Sequence, residues 1–430
     1  MKLDLRERMF GVFALLLFTK PLIPIAVQHG AISVDTGLLQ GRWATQQNNF
    51  VLQVVFAATY VIAFLLIGRR GFFAWITKDR LLLPLLILAL VSILWSEDPT
   101  ITFTRATSLL GTVIVGIYLA DRYSFRELIK LLAWSLGLAV LLSVFAVIVR
   151  PSYAIMTDVH EGAWRGIYVH KNVLGRFASL GVISFLMVAT SFPRYRHIGW
   201  GGFLLSALVV LKSASLTAIL VLVILLFLVP VFLAMRRHPL LVPGLAVGLV
   251  AVVSMGVWLT DSSSDLLKDL GRDSTLTGRV DLWESAAMVI QKSPWIGHGY
   301  GTARVGEGDD ASTYLARFSQ WNAPDAHNGF LDLTLDLGVV GLALFIAGFV
   351  AAFGRATAYL RENRGVEALW PLVFFGFILL VNMTETVLLK NNNLDWVLYV
   401  ATVLSLAKSR KPALWRPRLL SAVESSPYER

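Results

Sequence analysis

The chain has 430 residues, of which 56% are hydrophobic and only 15% charged, and its mean hydropathy is +0.67. That balance excludes a soluble globular domain, which cannot hide so much apolar surface at this length. The formal net charge of +10 would suit a nucleic-acid binder, but the cations sit in short connections between apolar runs, and the lack of cysteine leaves neither a disulfide framework nor a thiolate metal site.

In chain order, Met1–Arg8 is charged and leads into an apolar stretch with no small-residue cleavage pattern, so a retained first helix is expected. Apolar runs follow at 9–27, 50–68, 81–95, 104–120, 131–149, 173–190, 199–212, 215–235, 240–260, 328–353, 368–388 and 393–407. Most approach the ~20 residues that span the hydrocarbon as a helix, whose backbone groups are all paired internally. They predict an all-α, polytopic transmembrane helical bundle of about 12 membrane helices over residues 1–408. The join between the seventh and eighth runs, Lys212–Ser215, has polar residues in place of a full loop. A basic, proline-containing tail at 409–430 is expected to be disordered.

Alternate connections carry Arg69, Arg70, Lys78 and Arg80; Arg122, Arg126 and Lys130; Arg194 and Arg196; Arg236 and Arg237; and Arg355, Arg361 and Arg364. The positive-inside rule assigns these, and both termini, to the cytoplasm. The opposite connections, 28–49, 96–103, 150–172, 261–327 and Lys390–Leu394, then face outward. The large outer loop 261–327 is rich in Gly and Asp and holds one amphipathic stretch, Thr277–Lys292, with Val280, Trp283, Ala287 and Ile290 predicted on one face. Thr277 suits its cap, and Pro294 follows its end. No internal repeat of the kind that marks many transporters is visible.

Three outer-face clusters hold the residue types that carry chemistry. Trp164–Arg176 contains Arg165, His170, Lys171, Asn172 and Arg176, with Asn172 and Arg176 on one face of a helix beginning near Lys171; interfacial anchoring to lipid phosphates is the structural alternative. Thr277–Gly301 contains Arg279 at the start of the amphipathic helix, then His298 within glycines 297, 299 and 301, which permit close backbone approach to a ligand or a plain turn. Asp325–Asp332 contains His327 and Asn328 where the large loop re-enters the membrane, and a histidine there is placed to accept a proton from an aqueous acceptor. H-E-x-x-H, Walker, G-x-S-x-G and D-x-D patterns are all missing from the sequence.

Together with Leu94–Pro99 and the His327–Gly341 run, these clusters resemble the O-antigen ligase and Wzy-type polysaccharide polymerase superfamily, and the Gly166–Gly175 run is most similar to its exopolysaccharide polymerase branch. The resemblance implies a membrane glycosyltransferase acting on an undecaprenyl-pyrophosphate-linked glycan donor and a glycan acceptor at the outer face of the bacterial cytoplasmic (inner) membrane. It implies catalytic roles for Arg165, Arg279 and His327, and substrate binding by Lys171, Asn172, Arg176, His170, Asn328 and His298. A polymerase is expected, with no cofactor, metal or nucleic acid; a ligase that moves the glycan to a lipid or protein acceptor is the alternative. A flippase and a chain-length regulator of the same pathway are the further partners implied. Lys20, Arg105, Lys212, Glu385 and Lys390, in or beside the apolar runs, leave a polysaccharide or lipid transporter as the competing class.

Overall fold

The computed structural model describes residues 4–21, 50–157, 160–238, 277–302 and 325–408, with side chains of the fourth segment described from Leu282 onward. The run at 240–260, the 28–49 and 261–276 connections, residues 303–324 and the tail at 409–430 lie outside the described residues, as does the Arg279 side chain. The helices are α1 (Leu5–Phe18), α2 (Phe50–Ile76), α3 (Leu82–Val91), α4 (Pro99–Arg122), α5 (Phe125–Val149), α6 (Lys171–Ser191), α7 (Arg196–Lys212), α8 (Leu216–Ala234), α9 (Thr277–Lys292), α10 (Gly329–Glu362), α11 (Trp370–Asn382) and α12 (Leu394–Lys408). Among the described residues there is no strand, only an isolated bridge between Ile155 and Trp164.

The protein is therefore an all-α polytopic membrane protein. Among the described residues six helices, α2, α4, α5, α6, α8 and α10, are long and apolar enough to cross a bilayer, and the stretches Leu82–Leu94 and Val366–Asn382 are shorter and apolar. Their outer sides leave Leu65, Ile148 and Phe227 more than 70% exposed, an arrangement that suits lipid and not water. The centre is built from α11 and α12, which are buried nearly all round, with α4 packed against α2 and α12, and α6 against α5 and α7.

Local chemistry sets the helix ends. Asp98 accepts the Ile101 N–H at 2.9 Å with Pro99 in the first turn, so the E-D-P run is the start of α4. Ser124 and Glu127 form a reciprocal capping box on α5. The Lys212–Ser215 join is a tight turn: Ala214 is left-handed at φ 48°, and the Ser215 hydroxyl caps α8. Since Trp164 N donates to Lys212 O at 2.9 Å and Lys171 Nζ to Ala214 O at 3.3 Å, this turn lies at the end where α6 begins.

The basic connections gather at the opposite end. Arg122 pairs with Glu7 at 2.5 Å, Arg355 pairs with Asp79, Arg236 donates to the Arg364 and Gly365 carbonyls, and Arg126 and Lys130 lie over Phe192. These basic connections thus share one end of the bundle, the grouping the sequence predicts.

Two elements differ from expectation. The run at 328–353 is part of a longer helix, α10, interrupted at Gly338, where φ is 66°. The amphipathic stretch forms a helix with the expected bounds, but its buried stripe is Leu282, Ser285, Ala286 and Val289, packed with Ala326 and Leu335, and Ala287 is exposed. Adjacent stripes of such a helix are nearly equally apolar, and the choice falls to the one that lets Trp283 reach a carbonyl at the edge.

Candidate active site at one end of the bundle

The break in α10 is the anchor of the site. At Gly338 the helix leaves the carbonyls of Leu335 and Asp336 and the amides of Val339 and Val340 without their usual helical partners, and a buried orphan of this kind costs about 1–3 kcal/mol. The Pro294–Gly299 segment fills all four places. His298 N donates to Leu335 O at 2.9 Å and Gly299 N to Asp336 O at 3.0 Å, while Val339 N and Val340 N donate to Pro294 O and Trp295 O at 2.8 and 3.1 Å.

The glycines of this segment are needed for approach to the chain itself. Gly297, Gly299 and Gly301 are all left-handed, and a Cβ at each would stand 2.5–2.6 Å from the Asp336 backbone, the Ser96 side chain and the Arg105 side chain respectively. His298, expected to bind substrate, is buried at 7% exposure between Glu97, whose Oε1 is 2.5 Å from Nδ1, and the Val289 carbonyl of α9, 3.0 Å from Nε2. A carbonyl only accepts, so Nε2 carries a proton. His298 therefore ties α9 to the loop before α4.

The loop before α10 is held at every side. Asn328 caps the helix, accepting from Phe330 N and Leu331 N. Asp332 accepts from Ala326 N at 3.1 Å and from the Thr386 hydroxyl, and Trp283 Nε1 donates to Ala326 O at 2.9 Å. This last bond joins α9, one turn after Arg279, to the residue preceding His327. His327 itself is left-handed at φ 48° and 18% exposed, with Nδ1 3.6 Å from Asp325 Oδ1.

The connection between α11 and α12 closes the site. Lys390 Nζ lies 3.1 Å from Asp325 Oδ2, Tyr300 donates its hydroxyl to Leu389 O, and Arg105 donates to Gly301 O. Lys20, just beyond α1, is within electrostatic reach of Lys390, Arg105 and Arg176. Arg176 in turn is 3.4 Å from the fully buried Asp395 and lies over the Phe177 ring. Lys20, Arg105, Arg176 and Lys390 thus come from four parts of the chain to one neighbourhood, in which Lys390 pairs with the Asp325 that precedes His327. The sequence offered three of them, Lys20, Arg105 and Lys390, as a transport path.

Asn172 and Arg176 share a face, as expected, and line one recess with Ser179, Ser215 and Glu385. Asn172 donates to Glu385 at 3.1 Å and accepts from Ser215 at 3.0 Å. His170 caps α6 by accepting Asn172 N at 3.3 Å, and its ring is edge-on to His160. Arg165 is held within its own connection: Nε donates to Tyr153 O at 2.5 Å and the guanidinium lies 5.1 Å from the Tyr153 ring. Burial pushes the Tyr153 phenol up to about 12, and the Arg165 charge opposes that shift. Among the described contacts none joins Arg165 to the His327 loop. Glu97 and Asp325, which lie in the runs quoted from the sequence but were given no role there, and Thr386, which was not among them, carry contacts of the site.

Comparison with known proteins bears on the same region. The family model described as O-antigen ligase matches residues 201–346, which contain Arg279, His298, His327 and Asn328. The chain is 28% identical over 305 residues to the exopolysaccharide production protein ExoQ of Rhizobium meliloti (strain 1021), covering 67% of each chain. The membrane bundle and these two similarities, one over residues 201–346 and one over 67% of the chain, point the same way, to a membrane protein similar to O-antigen ligases and to an exopolysaccharide production protein.

Proposed function

We propose that the protein is an inverting glycosyltransferase that polymerises undecaprenyl-pyrophosphate-linked oligosaccharide repeat units of an exopolysaccharide or O-antigen at the outer face of the cytoplasmic membrane, without need of a metal. The observation that carries this reading is the convergence at one end of the bundle. There the Trp283 bond joins the Arg279-bearing helix to the His327 loop, Lys390 pairs with Asp325 of that loop, and Lys20 lies within electrostatic reach of Lys390, Arg105 and Arg176. A pyrophosphate leaving group carries several negative charges, and a concentration of cations stabilises it as it departs. Charges spaced along the bundle would favour a transport path; charges gathered at one end favour chemistry on a membrane-borne substrate.

In this reading Arg279 and Arg165 bind the pyrophosphate oxygens, Arg279 through a two-pronged fork. The acceptor hydroxyl attacks the anomeric carbon from the side opposite the phosphate. The new C–O bond forms as the sugar–phosphate bond breaks, the electron pair leaves with the lipid pyrophosphate, and the hydroxyl proton passes to His327. One displacement inverts the anomeric centre. Lys171, Asn172, Arg176, His170 and Asn328 shape the surroundings, and His298 acts by holding α9 in place.

Purified protein given a lipid-linked repeat unit in detergent, with a chelator and no nucleotide, is expected to lengthen it, and His327→Ala to lower the rate by about 10²- to 10⁴-fold. Cells lacking the protein are expected to accumulate single lipid-linked units. Full-length chains persisting on the lipid carrier in those cells would assign the ligase reaction instead, and activity restored only by Mg²⁺ or Mn²⁺ would refute metal independence.

A further inference from the structure

We infer that Asp325 is a positioning residue for His327, and that Lys390 holds it in that role; the inference rests on the proposal that His327 accepts the acceptor proton. Asp325 is buried at 8% exposure, and its two oxygens have different tasks. Oδ1 accepts the His327 backbone N–H at 3.2 Å and faces His327 Nδ1 at 3.6 Å; Oδ2 faces Lys390 Nζ at 3.1 Å. One carboxylate thus fixes the histidine at both its backbone and its ring.

The surroundings leave the ring little freedom to turn elsewhere. His327 takes a left-handed backbone conformation, held by Asp325 behind it and by the Asn328 cap ahead. Ala326, between Asp325 and His327, is bonded on its amide by Asp332 and on its carbonyl by Trp283. Lys390 is 32% exposed and belongs to the α11–α12 connection, so the carboxylate orientation is set by a part of the chain distant in sequence.

The chemical consequence follows from the geometry. A carboxylate at Nδ1 favours the tautomer with its proton there, which leaves the Nε2 lone pair to receive the hydroxyl proton. It also stabilises the imidazolium that forms. The 3.6 Å separation is longer than a hydrogen bond and is of the kind that tightens when substrate binds. Lys390 keeps Oδ2 occupied and so keeps Oδ1 turned to the ring.

The experiment is a double-mutant cycle on the purified, detergent-solubilised full chain, with turnover of a lipid-linked repeat unit as readout. Asp325→Asn, nearly isosteric and still able to accept the His327 N–H, is expected to lower kcat about 10- to 100-fold with donor KM changed less than about twofold. Combined with His327→Ala it is expected to add nothing, because the group it positions is gone. Lys390→Met is expected to lower kcat by about three- to tenfold, and by a smaller factor in the His327→Ala background, where only its charge near the leaving group still counts; it stands in for Asp325→Asn should that variant not reach the membrane. Near-normal turnover in Asp325→Asn, or an equal fold-loss in the His327→Ala background, overturns the inference while leaving the histidine in place. Near-normal turnover of His327→Ala alone marks failure of the catalytic reading on which it rests.

Discussion

Gly297→Ala isolates the splice between the Pro294–Gly299 segment and the break in α10. The left-handed backbone at φ 67° costs an L-residue about 1–2 kcal/mol. The new Cβ would also stand 2.5 Å from the Asp336 carbonyl carbon and 2.6 Å from its oxygen, well inside any ordinary contact. Relief requires the segment to withdraw by roughly 1 Å, which takes the adjacent His298–Leu335 and Gly299–Asp336 bonds of 2.9 and 3.0 Å beyond bonding range. Each lost bond leaves buried groups unpaired at about 1–3 kcal/mol, so the total is about 3 kcal/mol or more. Two control glycines separate the terms: Gly162 is left-handed at φ 79° with open space around it, and Gly201 has open space without the left-handed backbone. Gly162→Ala is therefore expected to cost about 1–2 kcal/mol, and Gly201→Ala to be neutral or slightly stabilising. Thermal unfolding of purified variants in detergent, followed by tryptophan fluorescence, gives the ranking, and repeat-unit polymerisation should fall with Gly297→Ala alone. If Gly297→Ala is no less stable than Gly162→Ala, the segment is not wedged into α10 and the account of the site's anchor is wrong.

Arg279→Lys retains charge but cannot form a planar fork, and most polymerising activity is expected to disappear while membrane insertion is unchanged; activity within about threefold of the parent would remove the two-pronged contact. Reporter fusions after Arg70, Arg126, Arg196, Arg237 and Arg364 should read cytoplasm, and those near Asp158 and Gly306 the outer face. An outer signal at Arg364 with an inner one at Gly306 inverts the protein and its active end. Because burial raises the Tyr153 phenol from 10.0 to about 12, any stability it contributes is complete below pH 10 and declines as the pH rises through 12. Phenolate absorbance in the native protein compared with Tyr153→Phe should place this titration, and ionisation at pH 10 would contradict the packing of Tyr153 under Arg165.

What the amino-acid sequence determined by itself is the solvent, the element type and the charge asymmetry. Long apolar runs oblige the backbone to pair within each run, so eleven of the expected spans coincide at least in part with helices and the other, 240–260, lies outside the described residues. The bounds of α9 and the shared face of Asn172 and Arg176 were likewise legible, since they depend on periodicity within a few turns of one helix. Only the tertiary structure decided which stripe of α9 is buried, because neighbouring stripes differ little in hydrophobicity and the Trp283 bond to Ala326 settles the matter. It also decided that Gly297, Gly299 and Gly301 serve packing between chain segments, since a glycine pattern records a close approach without naming what approaches. His298–Glu97 and Asp325–Lys390 join residues separated by dozens to hundreds of positions, and such pairings carry no local signal. They form because each charge, brought by its helix to the same end of an apolar bundle, gains more from a partner there than from remaining alone.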